Sequence, residues 1–304
     1  MELTLVTEGL QFPEGPIAMA DGSVVLVEIR RGTLTRVAPD GTRTVVAKLG
    51  GGPNGAAIGP DGAVYVCNNG GAFGWQDSAD VHMPGDTVSD YAGGSIQRVD
   101  LTTGAFSTVY DSCDGKPLNG PNDIVFDRQG GMWFTCLGQS DGEIRRLGGV
   151  YYAKADGSQI TRWRSEQISP NGIALSPDET TVYWSDTMLQ RLWALDLDAP
   201  GRPKPAQGRD LARVLLNLPG VQWLDSMAVE ASGKVCVATL FNGGITIVDD
   251  PSGAYEHIAF PDPVTTNICF GGPDMRDAWV TCSSTGKLYK CRWPRPGLKL
   301  AFNG

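Results

Sequence analysis

Short apolar runs, some alternating and some wholly apolar, recur along this chain between turns rich in Gly, Asp and Asn. Alternation of this kind is the signature of strands with one buried face, and Asp-Gly between two such runs marks a hairpin. The stretch from Asp123 to Trp163 shows the unit. "DIVFD" (123–127), "MWFTC" (132–136), "GVYYAKA" (149–155) and "QITRW" (159–163) are predicted strands, joined in part by "RQGG" and "DGS" turns. "VVLVEI", "TLTRVA" and "RTVVA" repeat the pattern near the N-terminus. Helical periodicity is nearly absent, apart from a short helical turn expected near 208–218.

The runs are also marked in a second way. "FPEGPIAMAD" begins at Phe12, "GPNGAAIGPD" at Gly52, "GPNDIVFDRQ" at Gly120, "SPNGIALSPD" at Ser169, "WLDSMAVEAS" at Trp223 and "TTNICFGGPD" at Thr265. Each carries one polar residue before its apolar run: Glu14, Asn54, Asn122, Asn171, Asp225 and Asn267. The markers recur every 40 to 70 residues or so, and all-strand repeats of that length predict propeller blades. The expectation is an all-β, six-bladed β-propeller of four antiparallel strands per blade, spanning 1–304 as a single domain. "ELTLVTEGL" (2–10) would close the ring by completing the last blade, removing the open sheet edge. Markers that precede innermost strands should then form a ring at one mouth of the central channel.

Four of them, Glu14, Asn122, Asn171 and Asp225, offer only oxygen donors. Two carboxylates and two amide carbonyls suit one hard divalent cation, Ca²⁺ first, with Mg²⁺, Mn²⁺, Zn²⁺ or Fe²⁺ as alternatives. Such an ion could act as a Lewis acid on a carbonyl or phosphoryl oxygen, or serve only to stiffen the channel. The long segment from Asn68 to Gly94 carries Phe73, Trp75, His82, Met83 and Tyr91 and reads as a lid. Asn54, Asn122, Trp75, Arg30, Met188 and Phe241 are the candidate substrate contacts, with Trp223 near the same mouth. Walls of this kind favour an apolar or aromatic ligand over a polyol. Arg30 and Arg31 could meet a substrate carboxylate.

Composition narrows the picture. A net charge of −9 and a pI near 4.8 argue against nucleic acid or an anionic membrane as partner, leaving a small-molecule substrate. No run is long and apolar enough for a membrane span, and the N-terminus lacks the basic and apolar regions of a signal peptide. The seven cysteines include no CxxC pair and read as reduced core thiols, hence a cytoplasmic protein, monomeric or weakly self-associating. The chain's two histidines, His82 and His257, give little basis for a Ser-His-Asp triad.

"FPEGP", "GPNDIVFDRQGGMWFT", "SPNGIALSPDETTVYWSDT", "LDSMAVEASGKVCVA" and "TNICFGGPDMRDAWVTC" carry a resemblance over nearly the whole chain. It resembles the senescence marker protein (regucalcin), gluconolactonase and luciferin-regenerating enzyme family, and is similar in layout to diisopropylfluorophosphatase. The resemblance implies Glu14, Asn171 and Asp225 as core metal ligands and Asn122 as a fourth ligand or a substrate contact. It places the catalytic centre at Asp225 and Glu14, with Asp225 as candidate general base, and implies hydrolytic opening of a lactone. Two positions depart from the family pattern. The approach "LNGPND" has Gly120 and no sugar-binding arginine, and Cys136 stands where some members place an Asp that holds a second calcium, so none is expected there. Phosphotriester hydrolysis at the same centre and a non-catalytic metal- or ligand-binding propeller are the alternative functions.

Overall fold

The computed structural model describes residues 1–78, 81–205 and 212–302; it also leaves the side chain of Asp77 undescribed. Six antiparallel sheets surround one channel, five of them four-stranded and the fourth along the chain carrying an extra short strand, Arg202–Pro203. No helix occurs among the described residues. The innermost strands are Pro13–Ala18, Pro53–Ile58, Pro121–Phe126, Pro170–Leu175, Trp223–Val229 and Thr265–Gly271, which open blades I to VI in that order. In blade III the outer strands are Gly131–Cys136, Gly148–Lys154 and Ile160–Gln167, close to the predicted set. Ring closure is as expected. Leu3–Thr7 pairs with Lys287–Arg292, with Leu3 opposite Cys291 and Leu5 opposite Tyr289.

Two expectations need correction. The helical turn expected near 208–218 is, in its described part, the strand Ala212–Asn217 on the outside of blade IV; residues 208–211 lie outside the described residues. "ARVLLN" is half exposed, and its backbone pairs with Arg191–Ala199 in preference to itself, so tertiary pairing decides over local propensity. The segment 68–94 is not irregular either. It contains a two-stranded hairpin, Phe73–Ser78 with Val81–Thr87, that rises between the second and third strands of blade II.

Apolar side chains of neighbouring blades interlock between the sheets. Trp133 and Trp184, fully buried, lie in one cluster that joins blades III and IV. All seven cysteines are buried and free, four of them fully enclosed in strands that were read as core (Cys67, Cys136, Cys236, Cys282). No helix among the described residues is long and apolar enough to cross a membrane.

The innermost strands share an irregularity that positions the site. Each shows a register shift at its marker: between Glu14 and Ile17, Pro53 and Ala56, Pro121 and Ile124, Pro170 and Ile173, Leu224 and Met227, and Thr265 and Asn267. A bulge re-aims side chains that a regular pleat would direct into the blade. The markers are thus second or third residues inside their strands, not residues just ahead of them. The glycine that follows several markers is explained by close approach. A Cβ on Gly172 would sit 2.6 Å from the Asp225 carbonyl, and one on Gly55 would sit 2.5 Å from that of Asn122. Asn-Gly here is a bulge pressed against the next blade, not a turn.

Candidate functional site

One mouth of the channel opens into a cavity of about 430 Å³ whose floor is formed by the markers. At the other mouth Leu298 and Leu300 border the channel, where Leu298 N–H donates to the Val229 carbonyl at 2.8 Å. Five of the six markers face the cavity: Glu14, Asn54, Asn122, Asn171 and Asp225. Hydroxyls of neighbouring blades hold their backbone in place. Ser185 Oγ donates to the Asp225 carbonyl at 2.8 Å, Thr135 Oγ1 donates to the Asn171 carbonyl, and Ser283 Oγ donates to the Pro13 carbonyl at 2.6 Å.

Asn267 breaks the pattern. Its Nδ2 donates to Glu14 Oε2 at 2.7 Å and its Oδ1 accepts the Ile268 N–H at 2.8 Å, so both ends of the amide are spent. Glu14 Oε2 also accepts the Gly15 N–H. With one carboxylate oxygen fixed twice, the other, Oε1, is left buried and unpartnered. Asn171 is finished the same way. Its Nδ2 donates to Thr187 Oγ1 at 3.1 Å, which leaves Oδ1 buried without a donor. Asn122 Oδ1 is a third such oxygen.

Three orphaned oxygens in one small floor are unusual, because a buried acceptor without a donor costs about 1–3 kcal/mol. The charged groups are strained further. Burial pushes the Asp225 carboxyl up to about 7, eased in part by Asn171 and the Ser226 amide and reinforced by nearby Asp123. Burial and the charge of Asp225 push Glu14 well above the ordinary carboxylate range, against the Asn267 hydrogen bond. The floor is therefore rich in acceptors and short of donors. A hard divalent cation fits that donor set: two carboxylates and two amide carbonyls, oxygens only. Among the described residues no cluster of three or more His, Cys, Asp or Glu side chains suited to a metal occurs, since half of this set is amide.

The walls are apolar. Phe12, Ile29 and Val264 form a small buried cluster on which Phe73, Trp75 and Met83 of the lid hairpin pack. Phe73 and Met83 border the cavity, whereas Trp75 lies behind, edge-on to Phe12 at 5.4 Å. Arg30 does not border the cavity either. Its Nη1 donates to His82 Nδ1 at 2.8 Å and its guanidinium lies over the Trp75 ring, so it fastens the lid to blade I. Arg31 pairs with Glu28 at 2.7 Å. Met188 and Phe241 do line the cavity, Phe241 edge-on to Trp223 at 5.0 Å. Phe12 and Phe241 hold left-handed backbone, φ 57° and 68°. A bulky residue there costs on the order of 1–3 kcal/mol, strain of the kind that gathers at functional sites.

Sequence reasoning passed over Arg145, Asp123 and the special role of Asn267. Arg145 sits in a connection between second and third strands, "SDGEIRRL", which the propeller rule places at the same mouth as the lid; that rule was the available signal. Asp123 and Asn267 differ from their neighbours only in how their hydrogen bonds are spent, which no pattern of residue types shows.

The family model described as the SMP-30/Gluconolactonase/LRE-like region matches residues 12–284. The chain belongs to this family. Gluconolactonase of Zymomonas mobilis is 28% identical over 303 residues, covering 88% of this chain and 76% of that protein. A gluconolactonase structure from Xanthomonas campestris superposes with a TM-score of 0.75 at 22% identity, covering 96% of this chain and 89% of that one. The structure of a calcium-binding protein, regucalcin, from Agrobacterium tumefaciens gives a TM-score of 0.73 at 21% identity, covering 98% of this chain and 99% of that one. At these identities the two structures speak for the SMP-30/gluconolactonase fold. The residues that match this family model include the whole oxygen-rich floor.

Proposed function

We propose that the protein is a metal-dependent hydrolase that opens a lactone ring. The observation that carries this reading is the floor itself: Glu14 Oε1, Asn122 Oδ1 and Asn171 Oδ1, buried and unpartnered beside Asp225. Relatives named gluconolactonase and lactonase support the reaction class, and a relative named as calcium-binding supports the choice of Ca²⁺. Glu14, Asn122, Asn171 and Asp225 would hold the ion. When bound, it supplies Lewis-acid polarisation of the lactone carbonyl.

The rest falls to this chain's residues. Asp225 accepts the proton of the attacking water at a carboxylate oxygen, and the water oxygen bonds to the acyl carbon. As the acyl–oxygen bond breaks, the ring oxygen takes up a proton and stays in the product as an alcohol. Burial that lifts Asp225 to about 7 gives it the proton affinity of a useful base near neutrality. An adjacent cation draws that affinity down, so the pH at which activity appears reports which influence is stronger. Asn171 is held by Thr187, and Glu14 by Asn267 and Gly15, so neither needs to reorganise during the reaction. Asn54, buried and bordering the cavity, is placed to meet a ring substituent. Phe73, Met83, Met188 and Phe241 keep the ring in apolar surroundings, which suits a lactone with apolar or aromatic character.

Acid release from sugar, aliphatic and aromatic lactones, followed with a pH indicator before and after chelation and after Ca²⁺ is restored, tests the proposal. Turnover that is lost to the chelator and regained with the ion is expected. A folded protein that hydrolyses none of them, or turns over only phosphotriesters, would overturn it.

A further inference from the structure

Arg145 stands on a short hairpin, Gln139–Ser140 with Arg145–Arg146, that rises from blade III between its second and third strands. The side chain borders the same cavity as Glu14 and Asp225. Its guanidinium is held in place by two neutral acceptors: Nε donates to the Ile168 carbonyl at 2.7 Å and Nη2 to the Leu137 carbonyl at 3.0 Å. A guanidinium carries five N–H donors, so three remain unspent. No carboxylate pairs with it among the described residues.

Acidic residues outnumber Lys and Arg by 34 to 25. Among the described residues Arg43, Arg146, Arg162, Arg191 and Arg276 also make no salt bridge, but Arg145 borders the cavity and they do not. Arg31, Arg36, Arg98, Arg213, Arg292 and Arg295 all pair with carboxylates. Asp186 is the acid whose charge reaches Arg145, and its own oxygens accept from Ser169 and from the Leu189 N–H. Asp86 borders the cavity from the lid but is exposed and makes no ion pair with Arg145. A half-buried, oriented and unpaired guanidinium on a substrate cavity has lost hydration without gaining an anion. A planar carboxylate returns what was lost, because it matches the fork of N–H groups two at a time.

We propose that Arg145 is a specificity residue and that the substrate carries an anionic substituent, a carboxylate by geometry, which it binds while the acyl group lies on the floor. The inference rests on reading this cavity as the lactone-opening site. It also adds a charged anchor to an otherwise apolar wall, so the favoured ring is a compact lactone acid.

The test compares γ-butyrolactone with its γ-carboxylate as substrates for the wild type, Arg145→Gln and Arg145→Lys. Pyrrolidone and pyroglutamate, the matching lactams, serve as non-hydrolysed ligands read by tryptophan fluorescence, and thermal unfolding checks that each variant is folded. In the wild type kcat/KM should favour the carboxylate by at least about tenfold, and Arg145→Gln should reduce that ratio to about threefold or less, chiefly through KM. Arg145→Lys should restore part of it, since charge survives and the fork does not. Turnover with no preference for the carboxylate, or a ratio that Arg145→Gln leaves as it was, overturns the proposal while sparing the lactonase reading. If no lactone is turned over, the lactams decide. Pyroglutamate binding at least about tenfold tighter than pyrrolidone, and lost in Arg145→Gln, supports Arg145 as an anion site after the lactonase reading has failed. Equal binding of the two overturns it.

Discussion

Asn122 and Asp123 are neighbours in the innermost strand of blade III, both buried, and their oxygens meet opposite fates. Asp123 Oδ1 accepts the Ile124 N–H at 2.9 Å, and Oδ2 accepts the Ile173 N–H of blade IV at 3.2 Å. Asn122 Oδ1 accepts nothing and faces the cavity, as do Glu14 Oε1 and Asn171 Oδ1. One level of the channel is finished by the protein and serves to tie blades together. The level above is left open, and at Glu14 and Asn171 the other end of the group is clamped so that the open oxygen cannot turn away. The fold could satisfy buried acceptors here and does so at Asp123. The unsatisfied floor is therefore a feature of the site, not a general consequence of crowding six strands around a channel.

The two levels should respond to mutation in opposite ways. The largest expected effect is on chemistry. Asp225→Ala should lower lactone kcat/KM by about 10²–10⁴-fold, the range associated with loss of a general base, with the propeller still folded by circular dichroism. Asp225→Ala activity within a factor of a few of wild type would remove the base from the floor. Asp123→Asn should act on stability instead. An amide can present only one acceptor where the carboxylate presents two, so one backbone N–H between blades III and IV loses its partner, at a cost of about 1–3 kcal/mol in denaturant unfolding. A neutral result there would mean that the lower level is not the tie that its geometry suggests.

Next in size is an effect with the reverse sign. In the metal-free protein the floor carboxylates are a burden, so Glu14→Gln and Asp225→Asn should each raise stability, by roughly 0.5–2 kcal/mol, while reducing activity. For Asp225 the pH dependence follows from its shift. The folded-state value is raised from 3.8 to about 7, so the folded protein keeps a proton that the unfolded chain releases. Below the unfolded value the wild type and Asp225→Asn should be similar. As pH rises through the interval up to about 7 the wild type loses stability relative to the variant, and above it the gap stays constant. Thermal unfolding of both proteins from pH 4 to 8, with chelator present, reads the gap. A gap that is flat across this range would place Asp225 in an ordinary solvated setting.

How far the sequence reached follows from the same contrast. Blade count and the marker positions were legible because each is written as a repeat: an apolar run, a turn and one polar residue at a fixed place. Ring closure was legible because one strand-like stretch, residues 2–10, precedes the first marker. The bulge that carries each marker was legible only in part, since "NG" reads as a turn until the neighbouring strand is seen pressing on Gly55 and Gly172. Trp75 and Arg30 were chosen for chemistry and loop position. Their packing against Phe12 and His82 depends on how the hairpin lies on blade I, which local sequence does not encode. Arg145 was hidden for the opposite reason, because a short and ordinary hairpin supplies it. Asn267 is the sharpest case, matching the other amides in type and position and differing only in where its hydrogen bonds go.

That difference gives the smallest of the expected effects. If Asn267 is a clamp and not a floor ligand, Asn267→Ala removes one of the two donors on Glu14 Oε2 and leaves the Gly15 N–H as the other. All four floor residues remain. The loss of one hydrogen bond to a charged group is worth about 1.5–3 kcal/mol at most, and part of it is recovered when Glu14 engages a cation with either oxygen. Ca²⁺ affinity measured by calorimetry should therefore weaken by roughly tenfold. Activity at saturating Ca²⁺ should stay within a few-fold of wild type. Asn122→Ala or Asn171→Ala removes an open oxygen outright and should weaken the ion more than Asn267→Ala does. If Asn267→Ala were as damaging as those two at saturating ion, the amide would belong to the floor, and the division between clamping and open groups would have to be redrawn.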